Sequence, residues 1–208
     1  MNKTLLAAEY VLLFIILPIS FCFDYPIYLK IGLGAFFFII QITYLIKNKY
    51  PFPKKPFQSY HKRIGIQIGL NLLGLILITI VYLKISDPDS LFNVVRINPK
   101  MWITFIAIYT FLSVIPQEII YRSFYFSRYK KLFPNSNALI LSNALVFSLG
   151  HIFFNNILVS GITFIGGVVF AYTYTKTKSL WIVSIEHAIY GCWLYTVGFG
   201  AALGFPIP

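Results

Sequence analysis

The sequence is poor in charged residues, above all in acids, and it holds little cysteine. Only 11% of its 208 residues are charged, whereas about a quarter are charged in a soluble domain. Six residues are acidic and two are cysteines. Cys22 and Cys192 both lie in apolar runs, which fits neither a disulfide framework nor a cysteine-rich metal site. With a hydrophobic fraction of 58%, these shortages leave no room for a separate soluble domain and predict a polytopic membrane protein.

The charge that is present is mostly positive. Seventeen Lys and Arg stand against six Asp and Glu. In a membrane protein this excess is typical of cytoplasmic loops that face anionic lipid. No basic patch interleaved with aromatic residues lies on a plausible soluble fold, so we expect no nucleic acid among the partners.

Apolar runs of about 20 residues predict about seven transmembrane helices. We place them at 4–23, 27–46, 64–83, 102 to beyond 118, 138–154, 157–174 and 180–199. The first run lacks a small-residue cleavage site, so we expect it to be retained as a helix. The sequence therefore predicts an all-α polytopic membrane helix bundle, with residues 1–208 forming a single transmembrane domain.

Two basic segments predict the orientation. The first comprises Lys47, Lys49, Lys54, Lys55, Lys62 and Arg63, and the second comprises Arg122, Arg128, Lys130 and Lys131. By the positive-inside rule both should be cytoplasmic, which places the amino terminus inside and the carboxyl terminus outside. Aromatic residues in the second segment resemble a belt at the headgroup level: Tyr121, Phe124, Tyr125, Phe126 and Tyr129.

An acid and a base lie four residues apart at the end of an apolar run. Helical spacing puts Glu118 and Arg122 on one face, in the favourable order along the helix. A carboxylate in an apolar span is costly and is therefore a candidate for function. Pro116 removes a backbone donor just before it, which predicts a kink. The alternative is an interfacial ion pair that ends the span.

Two of the three histidines also lie in apolar runs. His151 lies in the run 138–154 and His187 in the run 180–199, whereas His61 lies in the first basic segment. Each alone could be a buried residue with a hydrogen-bond partner. Because polar groups within a membrane face the bundle interior, we expect one cluster to form from Glu118, Arg122, His151, Glu186 and His187.

A carboxylate and two imidazoles have two chemical uses. They can hold a metal that activates water. Alternatively, the carboxylate can act as a general base while the imidazoles position water and stabilise an oxyanion. The chain has no His-Glu-x-x-His motif and no cysteine ligand set, so a metal is possible but not favoured, and we expect no cofactor.

In order and spacing, these residues resemble the CPBP family of intramembrane proteases, which includes CAAX prenyl proteases and bacteriocin-processing or self-immunity (Abi) proteins. The family pattern is Glu-Glu-x-x-x-Arg, then Phe-x-x-x-His, then His-x-x-x-Asn. The matches here are Gln117-Glu118-x-x-x-Arg122, Phe147-x-x-x-His151 and His187-x-x-x-Gly191. The resemblance covers about the second half of the chain and implies a catalytic core over residues 101–200.

Two positions depart from the family pattern. Gln117 stands where the family has the glutamate assigned to activating water, and Gly191 stands where it has an asparagine that helps to hold the oxyanion. The resemblance then implies that Glu118 is the base and Arg122 its partner. His151 and His187 would position the water and stabilise the intermediate, and Gln117 would polarise the carbonyl or orient the water. Asn155, Asn156 or the Gln117 amide could replace the missing donor.

The sequence thus predicts an intramembrane endopeptidase of a bacterial plasma membrane, acting on a membrane-tethered peptide or protein in the lipid bilayer. One alternative is a family member that has lost the chemistry and serves as a non-enzymatic immunity or binding protein, which Gln117 and Gly191 favour. Another is a small proton-coupled carrier, against which the lack of internal repeats counts.

Overall fold

The apolar runs form long helices, as their lengths predict. The computed structural model describes residues 2–50 and 61–208, and within these residues it is 83% helical without strands. The principal helices are α1 (Lys3–Ser20), α2 (Ile27–Lys47), α3 (His61–Ser86), the short α4 (Asn93–Ile97), α5 (Pro99–Leu132), α6 (Ser136–Leu149), α7 (Ile157–Thr177) and α8 (Leu180–Val197). The all-α class is confirmed. Lys54 and Lys55 of the first basic segment lie outside the described residues.

Six of the described helices are long and apolar enough to cross a membrane. They are α1, α2, α3, α5, α7 and the stretch Ser136–Phe154 that contains α6. The predicted seventh span, 180–199, is helical from Leu180 to Val197 as α8, but its apolar run is diluted by Glu186 and His187. Large aliphatic side chains such as Leu70, Leu77 and Ile78 are exposed on α3, as expected where lipid is the solvent. The protein is an integral membrane protein.

The helices form two compact units. The first comprises residues 1–53 and 116–180, and the second comprises residues 54–115 and 181–208. The expectation of a single domain over 1–208, with a catalytic core at 101–200, stays a prediction.

The first unit has an aromatic interior. Tyr10 and Phe14 of α1 pack edge to face on Tyr125 and Tyr129 of α5, with ring centroids 5.2–6.0 Å apart. Such pairs each contribute roughly 0.5–1.5 kcal/mol beyond the area they bury. Phe124, Tyr125, Phe126 and Tyr129 are buried between helices, so they do not form the lipid-facing belt that the sequence suggests.

Glu9 connects α1 to the carboxyl-terminal end of α5, which we predict to be cytoplasmic. Both of its carboxylate oxygens accept hydrogen bonds from the Arg128 guanidinium, at 2.8 and 2.5 Å, and Tyr129 adds a third bond at 2.9 Å. This two-pronged geometry is the strong form of a carboxylate–arginine pair. The second basic segment is thus partly used for internal contacts.

Small residues bring α6 and α7 together. A Cβ placed on Gly167 would lie 2.9 Å from the Cα of Ala144, so only glycine permits this crossing. This close approach is the packing that small residues allow between membrane helices. It fixes α6, which carries part of the candidate site.

In the second unit, side-chain hydrogen bonds connect α8 to α3 and to α5. Trp193 donates to the Thr79 hydroxyl of α3 at 3.0 Å, and Trp102 of α5 donates to Thr196 at 2.9 Å. These bonds satisfy indole N–H groups that would otherwise be costly in an apolar environment. They set the rotation of α8 about its axis and so position His187.

Candidate active site

Helix α5 is irregular where its charges lie. It is π-helical over Tyr109–Val114 and again over Ile119–Phe124, on both sides of the short α-helical turn Ile115–Glu118. Pro116 has no N–H to continue the ladder, and a π-helical bulge absorbs such a defect without ending the helix. Bulges of this kind are frequent at functional sites, and the kink expected at Pro116 stays a prediction.

Glu118 and Arg122 form an ion pair in the interior of the first unit. The carboxylate Oε2 lies 3.2 Å from the Arg122 Nε, and both side chains are 0% exposed. Removing two charges from water costs several kcal/mol per ion, so a buried pair persists only with further hydrogen bonds. The predicted i,i+4 pairing of these two residues is present.

Asn143 of α6 supplies one of these bonds. Arg122 Nη1 donates to the Asn143 Oδ1 at 2.6 Å, and the Asn143 amide donates to the carbonyl of Tyr121 at 2.8 Å. The guanidinium also lies over two rings, 5.0 Å from the centroid of Phe147 and 5.8 Å from that of Phe170. Arg122 therefore ties α5 to α6 and α7 and fixes the direction of the Glu118 carboxylate.

His151 lies just beyond the end of α6. The predicted span over 138–154 is present as Ser136–Phe154, but only Ser136–Leu149 is α-helical; a turn follows at Gly150 and His151, and a 3-10 helix at Ile152–Phe154. The His151 Nδ1 lies 2.8 Å from the carbonyl oxygen of Phe147. Since a carbonyl only accepts, Nδ1 carries a proton, and Nε2 is the ring nitrogen suited to accept or transfer one.

Tyr121 links this histidine turn to the ion pair. A Cβ on Gly150 would lie 2.2 Å from the Tyr121 hydroxyl oxygen, so the phenol occupies the space beside the residue that precedes His151. The Tyr121 ring also packs edge to face on Phe147 at 5.1 Å. Phe147, whose ring contacts Arg122 and whose carbonyl holds His151, connects the two predicted motifs within the first unit.

The second unit presents His187 against an aromatic residue of α5. His187 is 6% exposed, and its ring lies edge to face with Tyr109 at 6.2 Å. One turn further along α8, a Cβ on Gly191 would lie 2.0 Å from the Tyr109 hydroxyl. A phenol O–H thus fills the place where the family pattern has an asparagine side chain. The departure at Gly191 has a structural reason.

Glu186 has its own partner in the second unit. Its Oε1 accepts a hydrogen bond of 3.0 Å from the Tyr190 hydroxyl, which also lies 3.0 Å from the carbonyl of Ile68 on α3. The carboxylate is 0% exposed. Glu186 and Tyr190 therefore lie on the face of α8 that contacts α3. His187 and Gly191 lie on a neighbouring face of the same helix, beside Tyr109.

Three residues of this constellation were missed from the sequence. Asn143 gave a usable signal, because Asn143, Phe147 and His151 follow one another at intervals of four on one helix face. Tyr109 and Tyr121 gave none, since nothing local separates them from the other 13 tyrosines among the 15 of the chain. Gln117 is partly exposed, and Asn156 caps α7 by accepting from the N–H of Leu158 at 2.9 Å.

Among the predicted site residues, the side chains that commonly bind metals are the Glu118 carboxylate and the imidazoles of His151 and His187. Among residues 2–50 and 61–208, no group of three or more His, Cys, Asp or Glu side chains stands together in a metal-binding arrangement. Whether the protein needs a metal is a separate question, and the expectation that it needs none stays a prediction.

A comparison with protein-family models finds a match over the region that carries these motifs. A family model described as "Type II CAAX prenyl endopeptidase Rce1-like" matches residues 99–205, just over half of the 208 residues. A search of curated proteins found no significant match, and neither did a search of solved structures. The matched range begins at the first residue of α5 and includes all three predicted motifs.

Proposed function

The chain belongs to the family of Rce1-like type II CAAX prenyl endopeptidases, and from that membership we propose that it is an intramembrane endopeptidase with Glu118 as its general base. The observation that best supports a working site is the His151 geometry. Its Nδ1 is held by the Phe147 carbonyl, and the same phenylalanine ring contacts Arg122. An imidazole fixed in this way presents Nε2 with a defined direction, which positioning of a reactant requires.

The proposed reaction uses water as the nucleophile. The Glu118 carboxylate takes a proton from water, and the resulting hydroxide oxygen forms a bond to the scissile carbonyl carbon. The carbonyl electron pair becomes an oxyanion, which donors of the site stabilise. Collapse of the intermediate breaks the C–N bond, and the proton held by Glu118 passes to the leaving amine. Arg122 holds the carboxylate in place through the ion pair.

The two histidines have distinct roles in this proposal. His151 accepts a hydrogen bond from the attacking water through Nε2, and His187 donates to the oxyanion. Tyr109 supplies a second donor in place of the asparagine that Gly191 replaces, since its hydroxyl fills that position. Gln117 polarises the substrate carbonyl or orients the water. The mechanism requires His187 to act on the same intermediate as His151, and that requirement is a prediction.

We propose as substrate a membrane-tethered peptide or protein. The family acts on membrane-associated substrates, and Glu118, Arg122 and His151 lie in stretches long and apolar enough to cross a membrane, which supports this proposal. We also propose that the basic segments face the cytoplasm of a bacterial cell, with the amino terminus inside.

A second candidate function rests on two observations. Glu118 is fully buried in an ion pair with Arg122, and Gln117 stands at the family's first glutamate. A protein with a purely structural Glu118 and no base at position 117 would be a membrane protein that keeps the fold without the reaction. It would then act by binding, for example as an immunity protein.

One experiment separates these two functions. The purified chain in liposomes is offered a panel of membrane-tethered peptides, and cleavage is measured per folded molecule for wild type, Glu118→Gln, Gln117→Glu and Glu9→Gln. The last is a matched control, because Glu9 is also an ion-paired carboxylate of the first unit. The protease proposal expects cleavage by wild type and Glu9→Gln and none by Glu118→Gln.

The contrary result is equally definite. An inactive wild type together with an active Gln117→Glu variant would support the binding protein. Cleavage by Glu118→Gln at the wild-type rate would remove Glu118 from the chemistry and leave it as half of a structural ion pair.

A further inference from the structure

A cavity of about 400 Å³ lies in the first unit at one end of its helices. Its wall combines the end of α2, residues 126–130 of α5, the first residue of α6 and the last turn of α7. All four are ends of candidate spans, so the cavity lies at a boundary between membrane and water. Its volume is in the range of about 300–1000 Å³ that small-molecule sites occupy. We call it the basic cavity.

The charge of the basic cavity is of one sign. Lys130 and Lys178 line it, and no acidic residue does so in the described part of the chain. Burial and the positive charge of Lys130 together lower the pKa of Lys178. The two ammonium groups are thus close enough to repel each other, and an anion between them would relieve that repulsion.

Neutral donors face the same space. The Tyr50 and Tyr174 hydroxyls lie 2.8 Å apart in the wall; one proton serves the pair, and the other can reach a ligand. Ser136 begins α6, a helix of 14 residues, whose first N–H groups have no acceptor within the helix, although the Asn135 side chain accepts from that of Ala138. Such a helix start favours an anion through its dipole. Two cations, a hydroxyl proton and a helix start form a donor set suited to a phosphate.

The backbone at Lys178 gives independent support. Lys178 follows the last residue of α7 in the left-handed conformation, with φ of 52° and ψ of 23°. Glycine or asparagine usually takes this position, because a Cβ is strained there. A lysine at a helix end also favours the helix dipole, but Lys176 in the last turn already does so without strain. A side chain kept at a strained position is a sign of function.

We propose that the basic cavity binds the phosphate of an anionic lipid headgroup. The membrane supplies this group at the depth where the cavity lies, and basic pockets between membrane helices are known to suit such headgroups. Phe126 and Leu139, which also line the cavity, would contact the glycerol and the first methylenes of the acyl chains. The site is separate from the proposed protease chemistry, since none of its lining residues belongs to the three motifs.

The test uses the full-length protein in neutral detergent. Its thermal unfolding midpoint is measured against increasing short-chain phosphatidylglycerol, phosphatidylcholine with the same chains, and glycerol phosphate. Three proteins are compared: wild type, Lys130→Gln/Lys178→Gln, and the control Lys131→Gln/Lys176→Gln. The control removes the same charge from the same two segments, but neither of its lysines lines the cavity.

We expect a saturable rise of several degrees for wild type and for the control with phosphatidylglycerol, because a ligand that binds only the folded state stabilises it. The cavity variant should need at least about tenfold more lipid, as expected for the loss of charge-assisted bonds. Equal weakening in both double variants would show a general surface-charge effect and overturn the proposal. An equal response to glycerol phosphate would overturn the lipid as the source.

The Lys178→Gly variant covers the case in which the double cavity variant fails to fold. Glycine suits the left-handed conformation at this position, so the variant should unfold at a midpoint no lower than that of wild type without lipid. It should nevertheless lose most of the response to phosphatidylglycerol. A Lys178→Gly protein with an unchanged lipid response would also overturn the proposal.

Discussion

Gly191 and Tyr109 share one small space: a Cβ at position 191 would lie 2.0 Å from the Tyr109 hydroxyl oxygen. The pairing explains why glycine, and not the family's asparagine, follows His187 by one turn. It also offers a replacement for the lost amide donor, since a phenol O–H can donate to an oxyanion. The departure at Gly191 thus coincides with a close contact to a residue 82 positions away in the sequence, on α5.

The first prediction concerns this hydroxyl. Tyr109→Phe should reduce turnover by roughly 10²–10³-fold, the loss that follows removal of one oxyanion donor. Tyr195→Phe is the control, because its hydroxyl donates to the carbonyl of Pro206 in the same unit. Turnover per folded molecule is the measurement. A Tyr109→Phe protein as active as the control would exclude the phenol from the chemistry.

The second prediction exchanges the residues at positions 109 and 191. Gly191→Ala alone should destabilise the protein by about 1–3 kcal/mol, because the new methyl group overlaps the phenol. Tyr109→Ala/Gly191→Asn restores the family's asparagine and removes the overlap, so it should recover part of the activity that Tyr109→Ala loses. Thermal unfolding and turnover distinguish the two effects.

Asn143 should matter through Arg122. Asn143→Ala removes the acceptor of a buried charge-assisted bond and should lower stability by about 1.5–3 kcal/mol. Asn143→Asp keeps an acceptor there and should retain more stability than the alanine variant. Asn137→Ala, an exposed amide on the same helix, serves as control and should change stability little. If Asn143→Ala unfolds at the same midpoint as the control, the Arg122–Asn143 bond contributes nothing measurable.

The two histidines should behave as one unit. His151→Ala and His187→Ala should each reduce turnover by at least about 100-fold, and the double variant should lose little more, since groups that act in one step are not additive. Independent structural sites would instead add. His61→Ala, in the first basic segment, should keep full activity. Cleanly additive losses at His151 and His187 would separate them.

Orientation can be read by labelling single cysteines in a protein from which Cys22 and Cys192 have been removed. Lys131→Cys should react only with a reagent in the cytoplasm, because the second basic segment should face inward. Asn155→Cys, an exposed position between α6 and α7, should react from the outside. Reversed labelling of this pair would show the opposite topology.

The expectation that no metal is needed has a direct test. Turnover should survive prolonged treatment with strong chelators, because the glutamate–histidine mechanism needs no Lewis acid. Metal content of the purified protein is measured in parallel. One zinc per chain, with activity lost on chelation and restored by zinc, would replace the mechanism by one in which a metal activates the water.

Local patterns explain which parts of the site were predictable. Glu118 and Arg122 are four residues apart, and helix geometry alone brings them together. Asn143 could have been found by the same reasoning, as it precedes Phe147 by four residues on the same helix. The turn that interrupts the predicted span at Gly150 was not readable from the sequence, because it accommodates the Tyr121 hydroxyl, a contact that depends on how α5 packs on α6.

The sequence by itself determined the class of the protein. Hydrophobicity and charge act over short stretches, so the spans, the scarcity of acids and the order of the three motifs were readable without coordinates. Only the tertiary structure decided what Arg122 contacts besides Glu118, why position 191 holds glycine, and why Tyr125 and Tyr129 lie in the interior. These features arise where helices distant in the chain meet, and a contact between distant residues leaves no periodic signal in either stretch alone.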